Sequence, residues 1–436
     1  MKPEAIARKR AIAFFAFPRF PSRSRQETAM KKALFAIIVA GFWFEGYATD
    51  ARVIALGGHD DFFMDEVSVF RNPADIGLYP DMLYGSLGVY RSSGSDSAAA
   101  GRSSAPADPF FGGIAAFPLT ADTAYRARHS SFSLGAFFNR HDALLDYVNP
   151  HSGRYVGNSN DIMLTPQGTI DVMTGYTWAG GTAIGIGGYI ASQSYTTGPV
   201  IDSETSLYKL NVGLRSPVGD HGAFEWSAGS GLLRAKGDSA GAGRTPIIVA
   251  NDDAFFMTDA RMFTPFPASA VMAVPQVRFS RITLYHGAVS LQDFTAGIGI
   301  DLPLTGGLFW AGLQYLYQAG SFFHDSSITS YGCRASFGLE HSIVGDWLVA
   351  RVGGQKVFAF STTTYAAGGP ARSTFSDGLP SDDSYSDLLG LGLGFIIKAR
   401  LRIDAVVSDN LPYTLGIASG GSDPYLISRV GATWRF

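Results

Sequence analysis

Histidine beside aspartate is the first arrangement in this chain that could do chemistry: His59-Asp60-Asp61 and His141-Asp142 each set an imidazole next to a carboxylate. Nucleophilic catalysis needs a hydroxyl or thiol within hydrogen-bond reach of such an imidazole, and neither pair has a recognisable serine motif beside it. The eight histidines are scattered, with no spacing that puts two on one face of an element as metal ligands. The single cysteine, Cys333, allows neither an intrachain disulfide nor a cysteine-rich metal site. Gly185-Ile186-Gly187-Gly188 and the stretch from Gly390 to Gly394 match phosphate loops by letter count only. Each lies within an alternating segment with no helix after it, so these glycines are expected to ease the curvature of a wall. Asp252-Asp253 and Asp382-Asp383 are expected in solvated outer loops, and no enzyme, cofactor or metal is expected.

The remaining chemistry is that of binding. Phe255, Phe256, Met257, Met262, Phe263 and Phe266 crowd into the stretch 237–290, where aromatic and thioether side chains could line an adaptable apolar site. A net charge of −3 with no basic cluster in the body of the chain gives no footprint for nucleic acid. Charges elsewhere keep falling on one parity of alternating segments: Lys209, Arg215, Arg334, Glu340, Arg402, Asp404, Arg429 and Arg435.

That parity identifies the elements. Successive side chains of a strand point to opposite faces. Tyr331, Cys333, Ala335, Phe337 and Leu339 oppose Arg334 and Glu340, while Leu401, Ile403 and Ala405 oppose Arg402 and Asp404. The chain ends the same way, with Phe436, Trp434, Ala432 and Val430 opposite Arg435, Thr433 and Arg429. One apolar face and one charged face suit a wall between lipid and a wet lumen. Aromatic content of 13%, 52 glycines and only 16% charged residues suit membrane strands, and no apolar run of about twenty residues offers a spanning helix after Asp50.

The N-terminus reads as an export leader. Met30-Lys31-Lys32 precedes an apolar core from Ala33 to Phe44, and Gly46-Tyr47-Ala48 supplies small residues for a cut after Ala48. Met30 is then the expected start, and residues 1–48 are an upstream extension plus a removed leader. From Met82 onward, segments of about ten residues are joined alternately by short turns, such as 303–306 and 342–345, and by long polar stretches, such as 93–109, 141–167, 361–385 and 410–424. With 237–290 taken as one long outer loop, the expected fold is an all-β transmembrane antiparallel barrel of about 14 strands over 82–436. Val271 to Tyr285 carries β-like composition of its own inside that loop.

Residues 49–81 lack sustained alternation and contain Ala51-Arg52-Val53-Ile54-Ala55-Leu56-Gly57-Gly58, then Asp65, Phe70 and Asn72-Pro73-Ala74. Proline steers the residue before it away from the α region and asparagine bonds its own backbone, so the triplet should fix a compact non-helical turn. This segment resembles the start of the outer-membrane transporters of long-chain fatty acids and other hydrophobic compounds, and of the related barrel component of type IX secretion. The chain departs from their pattern at Val53-Ile54 and lacks the small-residue string that follows. The resemblance implies a barrel in a Gram-negative outer membrane with Gly57, Gly58, Asn72, Pro73 and Ala74 in a luminal plug. The implied function is passive uptake of a hydrophobic small molecule or, in the alternative, scaffolding of secreted surface proteins; a general porin is a third reading. The C-terminal strand resembles the signal read by the barrel assembly machinery, with Trp434 and Phe436 carrying it. Lipid and lipopolysaccharide are the implied surroundings.

Overall fold

The computed structural model describes residues 50–88, 109–119, 130–142, 144–145, 168–197, 201–219, 221–239, 251–267, 269–284, 289–322, 326–364, 371–376, 387–398, 400–408 and 429–436. The expected leader, 1–48, lies outside them, as do the greater parts of the expected loops 93–109, 141–167, 361–385 and 410–424.

Seventeen strands are described: β1 (Met82–Gly88), β2 (Phe110–Pro118), β3 (Ser131–Phe138), β4 (Thr169–Thr177), β5 (Ala183–Thr197), β6 (Ile201–Val218), β7 (Gly222–Ser239), β8 (Asn251–Pro265), β9 (Met272–Leu284), β10 (Val289–Leu304), β11 (Gly307–Phe322), β12 (Ser326–Val344), β13 (Leu348–Thr364), β14 (Arg372–Ser376), β15 (Asp387–Ile397), β16 (Leu401–Ser408) and β17 (Arg429–Arg435). Each pairs antiparallel with its neighbour in sequence, except that β13 pairs with β14 over Ala359–Thr363 and with β15 over Leu348–Lys356. Pairing of β1 with β17, from Met82↔Arg435 to Gly88↔Arg429, closes the ring. The barrel therefore has 16 strands, with β14 outside the ring. Among the described residues the 16-stranded ring itself closes without a free edge strand, which is the condition for a sheet to stand in lipid.

The count exceeds the expected 14 because 237–290 is not an outer loop. It contains the end of β7 and the hairpin of β8 and β9, which runs the length of the wall and pairs with β7 and β10 on either side. Short connections such as 305–306 and 345–347 fall at the end of the barrel where β1 begins and β17 ends. Large apolar side chains stand exposed on the outer face, among them Leu83, Phe111, Ile170, Ile186, Leu210 and Leu313.

Residues 50–81 lie inside. Helix α1 (Asp50–Ala55) packs on β13, β15, β16 and β17, a 3-10 helix (Pro73–Leu78) packs on β3, β4, β5 and β6, and Phe62 between them meets β10 and β11. A segment this short can touch both sides of the ring only from within it. Gly57 and Gly58, at φ 115° and 87°, let the chain reverse after α1, where Gly58 N donates to Val53 O at 2.9 Å. Helix α2 (Ser68–Arg71) follows, and Asn72 ends it in an extended conformation. Asn72 also caps the 3-10 helix, accepting from Ala74 N at 3.2 Å and donating to Leu214 O at 3.2 Å. The Asn-Pro-Ala turn is thus helical from Pro73 onward, because proline at the first helical position loses no bond that helix would have made.

The wall accommodates this segment with glycine. A methyl group at Gly213 would collide with the Asn72 side-chain oxygen, one at Gly185 with Pro73, and one at Gly353 with the backbone of Leu56. The inward members of the two glycine runs, Gly185, Gly187, Gly390 and Gly392, likewise face Pro73, Ile54 and Ala55. They make room for a second layer of chain, which corrects the expectation that they only ease curvature. Gly213→Val should therefore push residues 72–76 off the wall: with overpacking of about 1–3 kcal/mol, trypsin cleavage after Arg71 should rise by about tenfold while the barrel keeps its heat-modifiable mobility. Unchanged cleavage would contradict the close fit.

Candidate functional site

The site is the luminal surface against which residues 50–81 are docked. Its inward positions alternate with the lipid-facing ones, so strand parity alone decides which side chains reach it. Arg52 on α1 begins the first cluster. It donates to Asp65 at 2.8 Å and to Glu340 of β12 at 2.7 Å. Glu340 also accepts from Arg351 of β13 at 2.6 Å and Arg402 of β16 at 3.0 Å, and both arginines reach Asp404.

A second cluster forms on the loop before α2. Asp61 takes Arg71 at 3.2 Å, Arg278 of β9 at 2.8 Å and the Gln314 amide of β11 at 2.8 Å. Arg334 faces inward beside Gln314 and adds to the positive field around Asp61. Arg278 also holds Asp259 at 2.8 Å. In the third cluster Arg215, Glu225 and Arg261 stand in consecutive register on β6, β7 and β8. Arg215 pairs with Glu225 and lies 3.5 Å from Asp75, while Arg261 donates to Glu225 at 2.5 Å and to the carbonyl oxygens of Asp60 and Phe63. Beneath these charges Phe62, Phe63, Trp310 and Phe263 form a buried aromatic group, with Phe63 stacked on Trp310 at 5.4 Å.

Of the charges assigned to the lumen from sequence, Arg215, Glu340, Arg402 and Asp404 bond the segment or its direct partners, and Lys209 reaches Asp142 at 3.0 Å. Arg429 and Arg435 share the inward face of β17 with Thr433, whose hydroxyl donates to Glu66 at 3.1 Å. Trp434 and Phe436 are exposed on the outer face with rings 6.1 Å apart.

The residues expected to bind an apolar ligand do not form one outer-loop site. Phe255, Met257 and Phe263 point inward from β8, Phe256 and Met262 point outward from the same strand, and Phe266 is exposed at the short turn. Phe255 instead joins an inward apolar band with Leu207, Leu233, Ile282 and Leu291 on β6 to β10. This band lies toward the long-connection end from Arg261 and Arg215. Sequence reading took Asp61 only as part of a His-Asp pair and missed Arg71, Glu225, Arg261, Arg278 and Arg351. The four of these on strands follow the parity signal, but the contacts of Arg261 and Arg278 with the segment join residues far apart in the chain.

Burial sets the protonation of the segment. It pushes Asp65 up to about 7 against the pull of Arg52, pushes Asp75 up to about 7, and raises Glu66 well above the carboxylate range. Burial also works on Asp61, but Arg278, His59, Arg71 and Arg334 together hold it well below that range. Desolvation lowers His59 to about 4.

No family model and no curated protein matches the chain. Among solved structures it is similar to CdiB from Escherichia coli, at 10% identity and a TM-score of 0.37, over 81% of this chain and 63% of that one. It is also similar to the ferripyoverdine receptor of the outer membrane of Pseudomonas aeruginosa, at 9% identity and a TM-score of 0.26, over 75% of this chain and 65% of that one. A third is a deletion mutant of the TodX monoaromatic hydrocarbon channel, at 13% identity and a TM-score of 0.26, over 91% of this chain and all of that one. The chain spans less than two thirds of the length of the first two. Likenesses this distant carry no functional weight, and the barrel rests on its own closed ring of hydrogen bonds.

The docked carboxyls give a pH dependence of known sign. Asp65 and Asp75 bind protons up to about 7 when docked but only to their ordinary 3.8 when released. Their contribution to docking is therefore full below that ordinary value and is lost as pH rises through about 7. His59 opposes this only below its ordinary 6.5, where protonation favours release. Between about pH 6.5 and about pH 8 opening events in planar bilayers should become more frequent as pH rises, by several-fold. A fall in frequency over that interval would contradict the assignment.

Proposed function

We propose that this chain is a barrel of a Gram-negative outer membrane that takes up hydrophobic small molecules, fatty acids among them, and is closed at its short-turn end by residues 50–81. The observation that carries this reading is the inward apolar band of Leu207, Leu233, Phe255, Ile282 and Leu291 on β6 to β10, which is packed closed and would have to part around a solute. An apolar solute is excluded by the lipopolysaccharide layer and by a wet lumen, so it needs a resting place of this kind. The charged clusters next to it disfavour a continuous apolar conduit and favour exit through the wall. Trp434 and Phe436 serve the barrel assembly machinery, and the exposed apolar outer face meets lipid and lipopolysaccharide. The function is one of passage, without catalysis: Asp61 and Asp142 bind arginine and lysine side chains, which is a structural use of the two His-Asp pairs.

A second reading is favoured by the buried ion clusters. A segment tied this firmly suits a permanently closed barrel that acts as a scaffold or shuttle for secreted surface proteins. A general porin is the least supported, since the segment occupies the lumen. Uptake of a labelled fatty acid or alkane into proteoliposomes separates the readings. Burying one such side chain contributes about 1.5–3 kcal/mol, so Phe255→Asp should lower uptake about tenfold while sugar-driven swelling stays low in both proteins. No uptake by the unaltered protein, together with co-purification of a secreted protein, would turn the reading to the scaffold.

A further inference from the structure

The connection leaving β3 does not run straight out of the barrel. Asn139, at φ 64°, takes a left-handed turn and its N–H donates to Thr169 O at 2.9 Å, which folds the chain inward. The Arg140 carbonyl then accepts from Thr169 Oγ1 at 2.7 Å and from Tyr189 Oη at 3.0 Å. Its guanidinium is held by Asp171 at 2.5 Å and by Asp142 at 3.3 Å, and Lys209 closes the set on Asp142. Leu144 and Leu145, both buried, follow in a short 3-10 turn.

The flat face of that guanidinium lies 4.4 Å from the ring centroid of Phe70, on helix α2, and 5.2 Å from that of Tyr189 on the wall. Phe70 in turn sits edge-on to Phe137 at 4.8 Å. We infer that residues 139–142 are a latch on the N-terminal segment, with Arg140 gripping Phe70 from the long-connection side. This rests on the reading that residues 50–81 close the lumen. It differs from the other attachments in one respect: Arg52, Arg215, Arg278 and Arg261 act from within the segment or the wall strands, whereas Arg140 lies on the connection that follows β3. The carbonyl anchors on Thr169 and Tyr189 fix the pivot, and the two carboxylates aim the plane of the guanidinium at Phe70.

The test uses the full chain in planar bilayers, with trypsin access after Arg71 as a second readout. A desolvated cation over an aromatic face is strong enough that its loss should raise open probability and cleavage about tenfold. Arg140→Ala is expected to do so, and Asp171→Asn, which keeps the arginine but loosens its aim, to a smaller extent. Arg140→Lys should restore only part of the closure, because an ammonium lacks the flat face. Phe70→Leu combined with Arg140→Ala should add little to either alone. If both Arg140→Ala and Asp171→Asn leave opening and cleavage unchanged, the latch is wrong, even where deletion of residues 50–80 opens the barrel. If that deletion stays closed, the closure reading fails, and cleavage after Arg71 still decides whether Arg140 holds the segment.

Discussion

Glu340 accepts hydrogen bonds from three arginines at once: Arg52 of the N-terminal segment, and Arg351 and Arg402 of the wall. With Asp404 the wall's own four charges already sum to zero, so Arg52 docks onto a balanced set instead of cancelling a net charge there. Such an arrangement gains geometric definition more than raw affinity, since desolvation offsets most of the attraction between buried ions. Its loss is costly all the same, because removing one partner strands the others at about 3–5 kcal/mol. The glycines that make room for the segment and the raised proton affinity of its buried carboxyls go with that docking.

The same constraint separates a closed lower lumen from a different upper one. Arg261, itself paired with Glu225, holds the backbone of residues 60–63 through the carbonyl oxygens of Asp60 and Phe63, while six residues farther along β8 Phe255 faces Ile282 and Leu291. Charge and grease are thus stacked along the strands instead of mixed. The ionic clusters lie between the band and the short-turn end of the barrel.

How far the chain could be read before its structure varies by element, for physical reasons. Strands β12, β16 and β17 alternate cleanly because lipid lies on one side and charge on the other, so their faces were legible from residue type alone. The β8 strand was not. Its inward side carries Phe255, Met257 and Phe263 among Asp253, Asp259 and Arg261, and its outward side carries Phe256 and Met262, so aromatic and thioether residues fall on both faces and obscure the parity that the charges keep. A strand whose large apolar residues do not alternate reads as a greasy loop. The inward glycines were equally opaque, since Gly213 matters only for Asn72, which lies far away in sequence. Arg140 gave no signal beyond its neighbour Asp142, as its partners are an aromatic ring and a carboxylate on other elements.

The central claim is that residues 50–81 are a buried part of the barrel. Hydrogen–deuterium exchange of the protein in lipid measures this directly. Amides of Leu56, Gly58, Asn72 and Tyr79 donate to backbone oxygens within the segment, and they should exchange on the slow timescale of the wall strands. Exchange of these amides as fast as that of exposed connections, with the wall still protected, would contradict the account.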